Sequence, residues 1–169
     1  MYLIWAIINT AFIILFVALI LTLVFKGKEL FNNNYGNLII IFLTIGILGL
    51  LNKDAYNPKN EYMFPANEEL TGRSVKSHHV VLEDNLTLDI HLTVRFRKDT
   101  SGELIPSFSR SNTTGFMSGL VWNYKYADID KLDVNTYTYT VVGIINWNLF
   151  GIKLYTQEKE LTGTFKLND

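Results

Sequence analysis

The chain has 169 residues, of which 49% are hydrophobic, 14% aromatic and only 18% charged, and its mean hydropathy is +0.16. That is poorer in charge than an ordinary soluble domain, at about 25%, and far too apolar for a disordered chain. A net charge of −1 offers no global basic footprint for a DNA or RNA polymer, and the absence of Cys excludes disulfides, thiolate catalysis and zinc-finger sites.

Met1 to Phe25 contain no charged residue, and their polar side chains are Asn9, Thr10 and Thr22, with the amphipathic Tyr2 and Trp5. As a helix this stretch is about 37 Å long at ~1.5 Å per residue, enough to cross a hydrocarbon core of ~30 Å. No Lys or Arg precedes Lys26, so the basic start of a cleaved signal peptide is missing and a retained span is expected. After a polar loop centred on Asn32-Asn33-Asn34, Leu38 to Leu51 form a second apolar run broken only by Thr44. Extended from Tyr35 to Asn52 it predicts a second span, giving a two-helix hairpin over residues 1–51. Gly46 and Gly49 lie near one face and predict close helix contact, with oligomerisation as its use. Asn9 is placed to hydrogen-bond across an interface. With no ionisable residue inside either run, a proton or ion relay is not expected. Lys26 and Lys28 balance Lys53 and Lys59, so counting positive charges leaves the orientation open.

Residues 52–70 read as a linker whose Tyr56, Tyr62, Met63 and Phe64 suit a membrane interface. From 71 to 169 the pattern changes to period two. Ile90, Leu92, Val94 and Phe96 face one way, and Asp89, His91, Thr93, Arg95 and Arg97 the other. Lys98 to Gly102 predict a turn in which Gly102 takes positive φ. Alternation recurs in Leu120–Tyr126, Thr136–Val141, Ile152–Tyr155 and Leu161–Leu167, with joints at Asn85, Ser111–Thr114, Trp147-Asn148 and Glu158-Lys159 and one helical turn within Ala127–Val134. Seven or eight strands joined by short turns predict an antiparallel up-and-down β-barrel, whose closure removes edge strands. A β-sandwich is the alternative.

The chemistry is sparse. His78 and His79 point to opposite faces of a strand and His91 stands apart, so no metal site is expected. There is no nucleophile elbow or phosphate loop, and the acid pairs Glu68-Glu69, Glu83-Asp84 and Asp128/Asp130 read as solvated loops. A non-enzymatic protein without a cofactor is expected. The remaining signal is a set of cations, Arg95, Arg97, Arg110 and Lys153, near the strand aromatics Trp122, Tyr124, Tyr126, Tyr137, Tyr139 and Tyr155. Guanidinium pairs bidentately with phosphate and flat rings stack on bases. In that reading Arg95, Arg97 and Lys153 meet phosphates, while Trp122, Tyr124, Tyr137 or Tyr155 stacks on a base. Tyr and Trp are also ordinary strand residues, and a purely structural role for the set stays open.

Two N-terminal membrane helices, a linker and a small β domain that opens at Leu70-Thr71-Gly72 and closes at Leu161-Thr162-Gly163-Thr164-Phe165-Lys166-Leu167 form a familiar layout. It resembles the two-transmembrane, β-strand-rich effectors of bacterial CBASS anti-phage systems. Small lipocalin-like barrels of many kinds open near a Gly and close with Gly-x-Phe, and many carry Trp two residues after the first Gly, where this chain has Ser74. The resemblance implies a cytoplasmic barrel that senses a cyclic di- or trinucleotide. It also implies helices that form a homo-oligomer in the lipid of the bacterial inner membrane and disrupt it. The alternative is an accessory subunit of a larger membrane complex with an extracytoplasmic β docking domain, compatible with the sequons at Asn85 and Asn112. A third reading is a lipid-binding barrel beside its membrane.

Overall fold

The computed structural model describes residues 1–31, 36–51, 60–65 and 76–167, with no side-chain detail at 24 and 26–31. The Asn32–Asn34 loop, most of the 52–70 linker including Tyr56 and Glu68-Glu69, and the Leu70-Thr71-Gly72 and Ser74 positions lie outside the described residues.

Two helices lead the chain, α1 (Tyr2–Phe31) and α2 (Gly36–Leu51). Both are rich in Leu, Ile and Phe, and no Gly or Pro interrupts α1 before Gly27. The hydroxyls of Thr22 and Thr44 bond back to the carbonyls of Ala18 and Ile40 at 2.7 and 2.8 Å, so neither helix presents them as free polar groups. Tyr2–Leu23 is long and apolar enough to cross a membrane. The 16 residues of α2 rise only about 24 Å, short of the ~30 Å core. Of the two expected spans, the described residues therefore support one, and the multi-pass expectation is corrected to that extent.

Seven strands follow: β1 (Glu61–Met63), β2 (Lys76–Asp84), β3 (Leu88–Lys98), β4 (Leu104–Gly115), β5 (Leu120–Lys131), β6 (Thr136–Leu149) and β7 (Ile152–Lys166). Among the described residues they form two antiparallel sheets, ordered β1-β4-β3-β2 and β5-β6-β7, and not the closed barrel expected from the sequence. The physical reason is the edge of β4. Glu61, Tyr62 and Met63 pair there with Arg110, Ser109 and Phe108, taking the backbone groups that β5 would need for closure. Asn60 completes the block. Its carbonyl accepts the Ser111 N–H at 3.0 Å, while its side-chain amide donates to the Trp122 carbonyl and accepts the Tyr124 N–H. Tyr62 and Met63, read from the sequence as interfacial linker, are thus strand residues, with the Tyr62 ring against Phe64 and Tyr126.

Several expected joints are continuous strand. Ser111–Thr114 stay in β4 because the Ser111 hydroxyl is satisfied within the fold, donating to the His91 carbonyl and accepting the Trp122 indole N–H. Glu158-Lys159 stay in β7, where Lys159 pairs with the largely buried Glu83 of β2 at 2.7 Å. Ala127–Val134 hold no helical turn; β5 runs to Lys131, with Ala127 and Ile129 buried. Gly102 does take positive φ, at +87°, in the β3–β4 turn.

By its contacts the chain divides into two units. One joins Pro58–Phe116, Trp122–Ile145 and Gln157–Asp169 around a core of Leu88, Ile90, Leu92, Val94 and Phe96 from β3 and Trp122, Tyr124, Tyr137, Tyr139, Val141 and Phe165 from the other sheet. The other joins the helices, Met1–Asn57, to Met117–Val121 and Asn146–Thr156, the ends of β5, β6 and β7.

Candidate functional site

In β3 the even-numbered residues from Leu88 to Phe96 are buried, so the odd-numbered ones form the outward face. The register carries that face across four strands. Ser77, Arg95, Phe108 and Met63 make one row; His79, Thr93, Arg110 and Glu61 the next; Val81, His91 and Asn112 a third. Arg95 is exposed, with its guanidinium 5.3 Å from the centre of the Phe108 ring, an arrangement that holds a cation flat against a π face. Arg110 is 3.9 Å from the Glu61 carboxylate, and both are more than half exposed. Arg97 is half-buried, and its Nε is shut from solvent without a hydrogen-bond partner among the described residues.

Two imidazoles join this face. The His79 and His91 rings stack at 5.1 Å; Nδ1 of His79 meets the Thr93 hydroxyl at 3.2 Å, and Nε2 of His91 meets the Thr114 hydroxyl at 2.9 Å. Asp89 on the same side is engaged by the Asn85 N–H at 3.2 Å. Among the described residues, the face therefore presents three guanidinium groups, of which that of Arg110 is paired with a carboxylate. That donor set is suited to phosphate oxygens, which a guanidinium binds through two parallel N–H groups.

The structure brings together Arg95 and Arg97 and separates the other expected site residues. Trp122, Tyr124 and Tyr137 are 3%, 4% and 2% exposed, and their ring faces are covered by protein. The Trp122 indole donates to Ser111 Oγ at 2.9 Å and lies on Gly143, where a Cβ would collide with it. The Tyr124 hydroxyl meets Ser109, and burial pushes its pKa up to about 12. Tyr137 stacks on Phe165 and donates to the Leu104 carbonyl at 3.1 Å. These polar tips tie β5 and β6 to β4, and the rings serve as core. Lys153 and Tyr155 are exposed and belong to the helix-bearing unit. Phe108 escaped the sequence reading, and His79 entered it only as a residue not expected to bind metal. Their signal is the strand register, since neither is marked by local spacing.

The helix-bearing unit has its own polar geometry. Asn9 of α1 is 2% exposed; its amide donates to Ser118 Oγ at 2.8 Å and accepts the Phe150 N–H at 2.6 Å. The Trp5 indole N–H is shared between the carbonyls of Gly119 and Asn148, at 3.3 and 3.2 Å. Phe150 packs its ring on Phe12 and Phe16, and the Gly49 backbone of α2 lies directly against it. Gly46 receives the Phe16 ring. The glycines picked out in the sequence thus serve contacts within the chain.

Comparison of the chain with protein-family models, with curated proteins and with solved structures finds no match.

Proposed function

We propose that this chain is a non-enzymatic membrane effector whose β strands sense a phosphate-bearing signal and whose apolar helices act in the membrane. The observation that carries the reading is the outward face of the β1-β4-β3-β2 sheet, where Arg95 lies over Phe108 and Arg97 and Arg110 stand on the same two strands, β3 and β4. A cyclic di- or trinucleotide is the signal expected from the resemblance to CBASS effectors, and its phosphodiesters match the guanidinium groups. The apolar side chains left exposed on α1 and α2, among them Ile14, Leu15, Val17, Ile40, Ile41 and Leu48, support contact with lipid and with further copies of the chain. In this reading the β strands lie in the cytoplasm and the helices assemble in the bacterial inner membrane and disrupt it.

The test is thermal unfolding of the full chain in detergent micelles against a panel of cyclic di- and trinucleotides. A ligand at 100 times its Kd adds about 2.7 kcal/mol of stability, a shift of several degrees for a protein of this size. The expected result is a shift with one cyclic member and none with its linear form, abolished in Arg95→Ala and Arg110→Ala. The absence of a shift across the panel, or a shift that both variants retain, overturns the reading.

A further inference from the structure

Two polar side chains on the first half of α1, Trp5 and Asn9, bond to the backbone and hydroxyl groups of the β5 and β6–β7 ends. Trp5 shares its indole N–H between the carbonyl of Gly119, in the turn before β5 where it also accepts the Asn148 N–H, and the carbonyl of Asn148 near the end of β6; Asn9 takes the Phe150 N–H and bonds the Ser118 hydroxyl. Turn backbone open to water can be satisfied by solvent, whereas backbone shut from it is satisfied by protein groups. Where hydrocarbon replaces water, each free N–H or C=O costs several kcal/mol, and irregular backbone persists only if protein groups satisfy it. A helix that is otherwise apolar spends its indole N–H and its one amide on these groups.

The surrounding rings are graded along the helix. Tyr2 and Trp5, at its start, contact Trp147 at 5.4 and 5.6 Å, and Trp147 reaches Tyr155 at 6.5 Å. Amphipathic rings of this kind collect at headgroup level. Phe150, at the tip between β6 and β7, packs instead on Phe12 and Phe16, two to three turns or about 11–17 Å further along α1. Next to the tip, Leu154 and Tyr155 are 58% and 61% exposed, beside an exposed Lys153 whose stem can lie along lipid with its ammonium at the phosphates.

We infer that the turn before β5 and the β6–β7 tip enter the lipid bilayer alongside α1, with the Trp147–Tyr155 level at the headgroups and Phe150 below it. The occupant of this surface is lipid, because Phe150 packs on Phe12 and Phe16 of the membrane-length helix and the nearby Leu154 and Tyr155 are left exposed. The inference rests on the membrane reading of α1.

The chain has no Cys, so single-cysteine variants can be labelled cleanly with an environment-sensitive fluorophore. Ile14→Cys reports on α1, Leu154→Cys on the tip region, and Leu86→Cys, at a position 90% exposed in the β2–β3 turn, gives the reference for water. All three replace exposed side chains. The full-length variants are reconstituted in vesicles of phosphatidylethanolamine and phosphatidylglycerol and quenched by nitroxide lipids or by iodide. The expected result is blue-shifted emission at Ile14 and Leu154, quenched by nitroxide lipid and shielded from iodide, while the label at Leu86 shows the reverse. An iodide-accessible label at Leu154 with a shielded one at Ile14 overturns the inference and leaves the membrane helix standing. A Leu154 label shielded from both quenchers overturns it in favour of a second copy as the occupant. An iodide-accessible label at Ile14 removes the membrane reading and the inference together.

Discussion

Asn9 Oδ1 and the backbone nitrogen of Phe150 lie 2.6 Å apart, joining the first half of an apolar helix to a β-turn 141 residues away. The same amide donates to Ser118, so one side chain satisfies two turn groups. It also holds Phe150 in a left-handed conformation, φ 48°, that a bulky residue avoids unless its surroundings impose it. Asn9→Leu keeps the volume and strands both partners. Each orphaned group costs about 1–3 kcal/mol, so a loss of about 2–6 kcal/mol is expected, read as a lowered Tm of the full chain in detergent. A loss under about 0.5 kcal/mol would mean that water already reaches the turn.

The neighbouring Asn148 presents the opposite case. Its side chain is 1% exposed, and neither amide atom has a hydrogen-bond partner among the described residues. Replacing a buried unpaired polar group with an apolar one of similar shape removes a desolvation penalty of about 1–3 kcal/mol. Asn148→Leu is therefore expected to raise the Tm, in contrast to the same change at Asn9. A lowered Tm would show that the amide has a partner in the membrane-bound protein.

The glycines of α2 differ in what lies against them. A Cβ at Gly46 meets the ring of Phe16, a side chain that can turn; a Cβ at Gly49 meets the Phe150 backbone, which Asn9 pins. Overpacking costs about 1–3 kcal/mol where the neighbour cannot give way. Gly49→Ala is expected to destabilise more than Gly46→Ala in parallel thermal unfolding. Equal effects would show that the tip yields as readily as a ring.

Alkaline stability should carry the mark of Tyr124. Burial raises its pKa to about 12 from the ordinary 10.0, outweighing the Ser109 hydrogen bond, which lowers it. Tyr137 and Tyr139 are raised by burial as well. A folded-state pKa above the unfolded one gives stability that is fully present below pH 10 and lost as the pH climbs toward 12. Unfolding curves taken across that window should show stability falling, and Tyr124→Phe should flatten part of the fall. A Tyr124→Phe profile parallel to that of the unchanged protein would assign the slope to the other two phenols.

Much of the molecule was legible in short stretches of chain. The uncharged run from Tyr2 onward specifies a helix that suits lipid, because twenty-odd apolar side chains need no partner to declare themselves. Strict alternation from Leu88 to Lys98 specifies a strand with Arg95 and Arg97 on one side. Gly102 marks its turn, since only its lack of a Cβ makes positive φ easy.

What alternation cannot say is which side faces inward, or which strand lies next. Trp122, Tyr124 and Tyr137 read as a stacking surface until the second sheet covers them, and Phe108 reads as nothing until the register sets it under Arg95. The edge of β4 that closure would need is occupied by three residues, Glu61 to Met63, too short to signal a strand by themselves. Asn9 belongs with these. Its residue type shows that a partner is needed, but hydrogen bonds spanning 109 and 141 residues are chosen by the folded chain. Local sequence determined elements and faces, because backbone geometry is periodic over a few residues. Tertiary structure decided partners, because edges and buried polar groups are satisfied by whatever the rest of the chain brings to them.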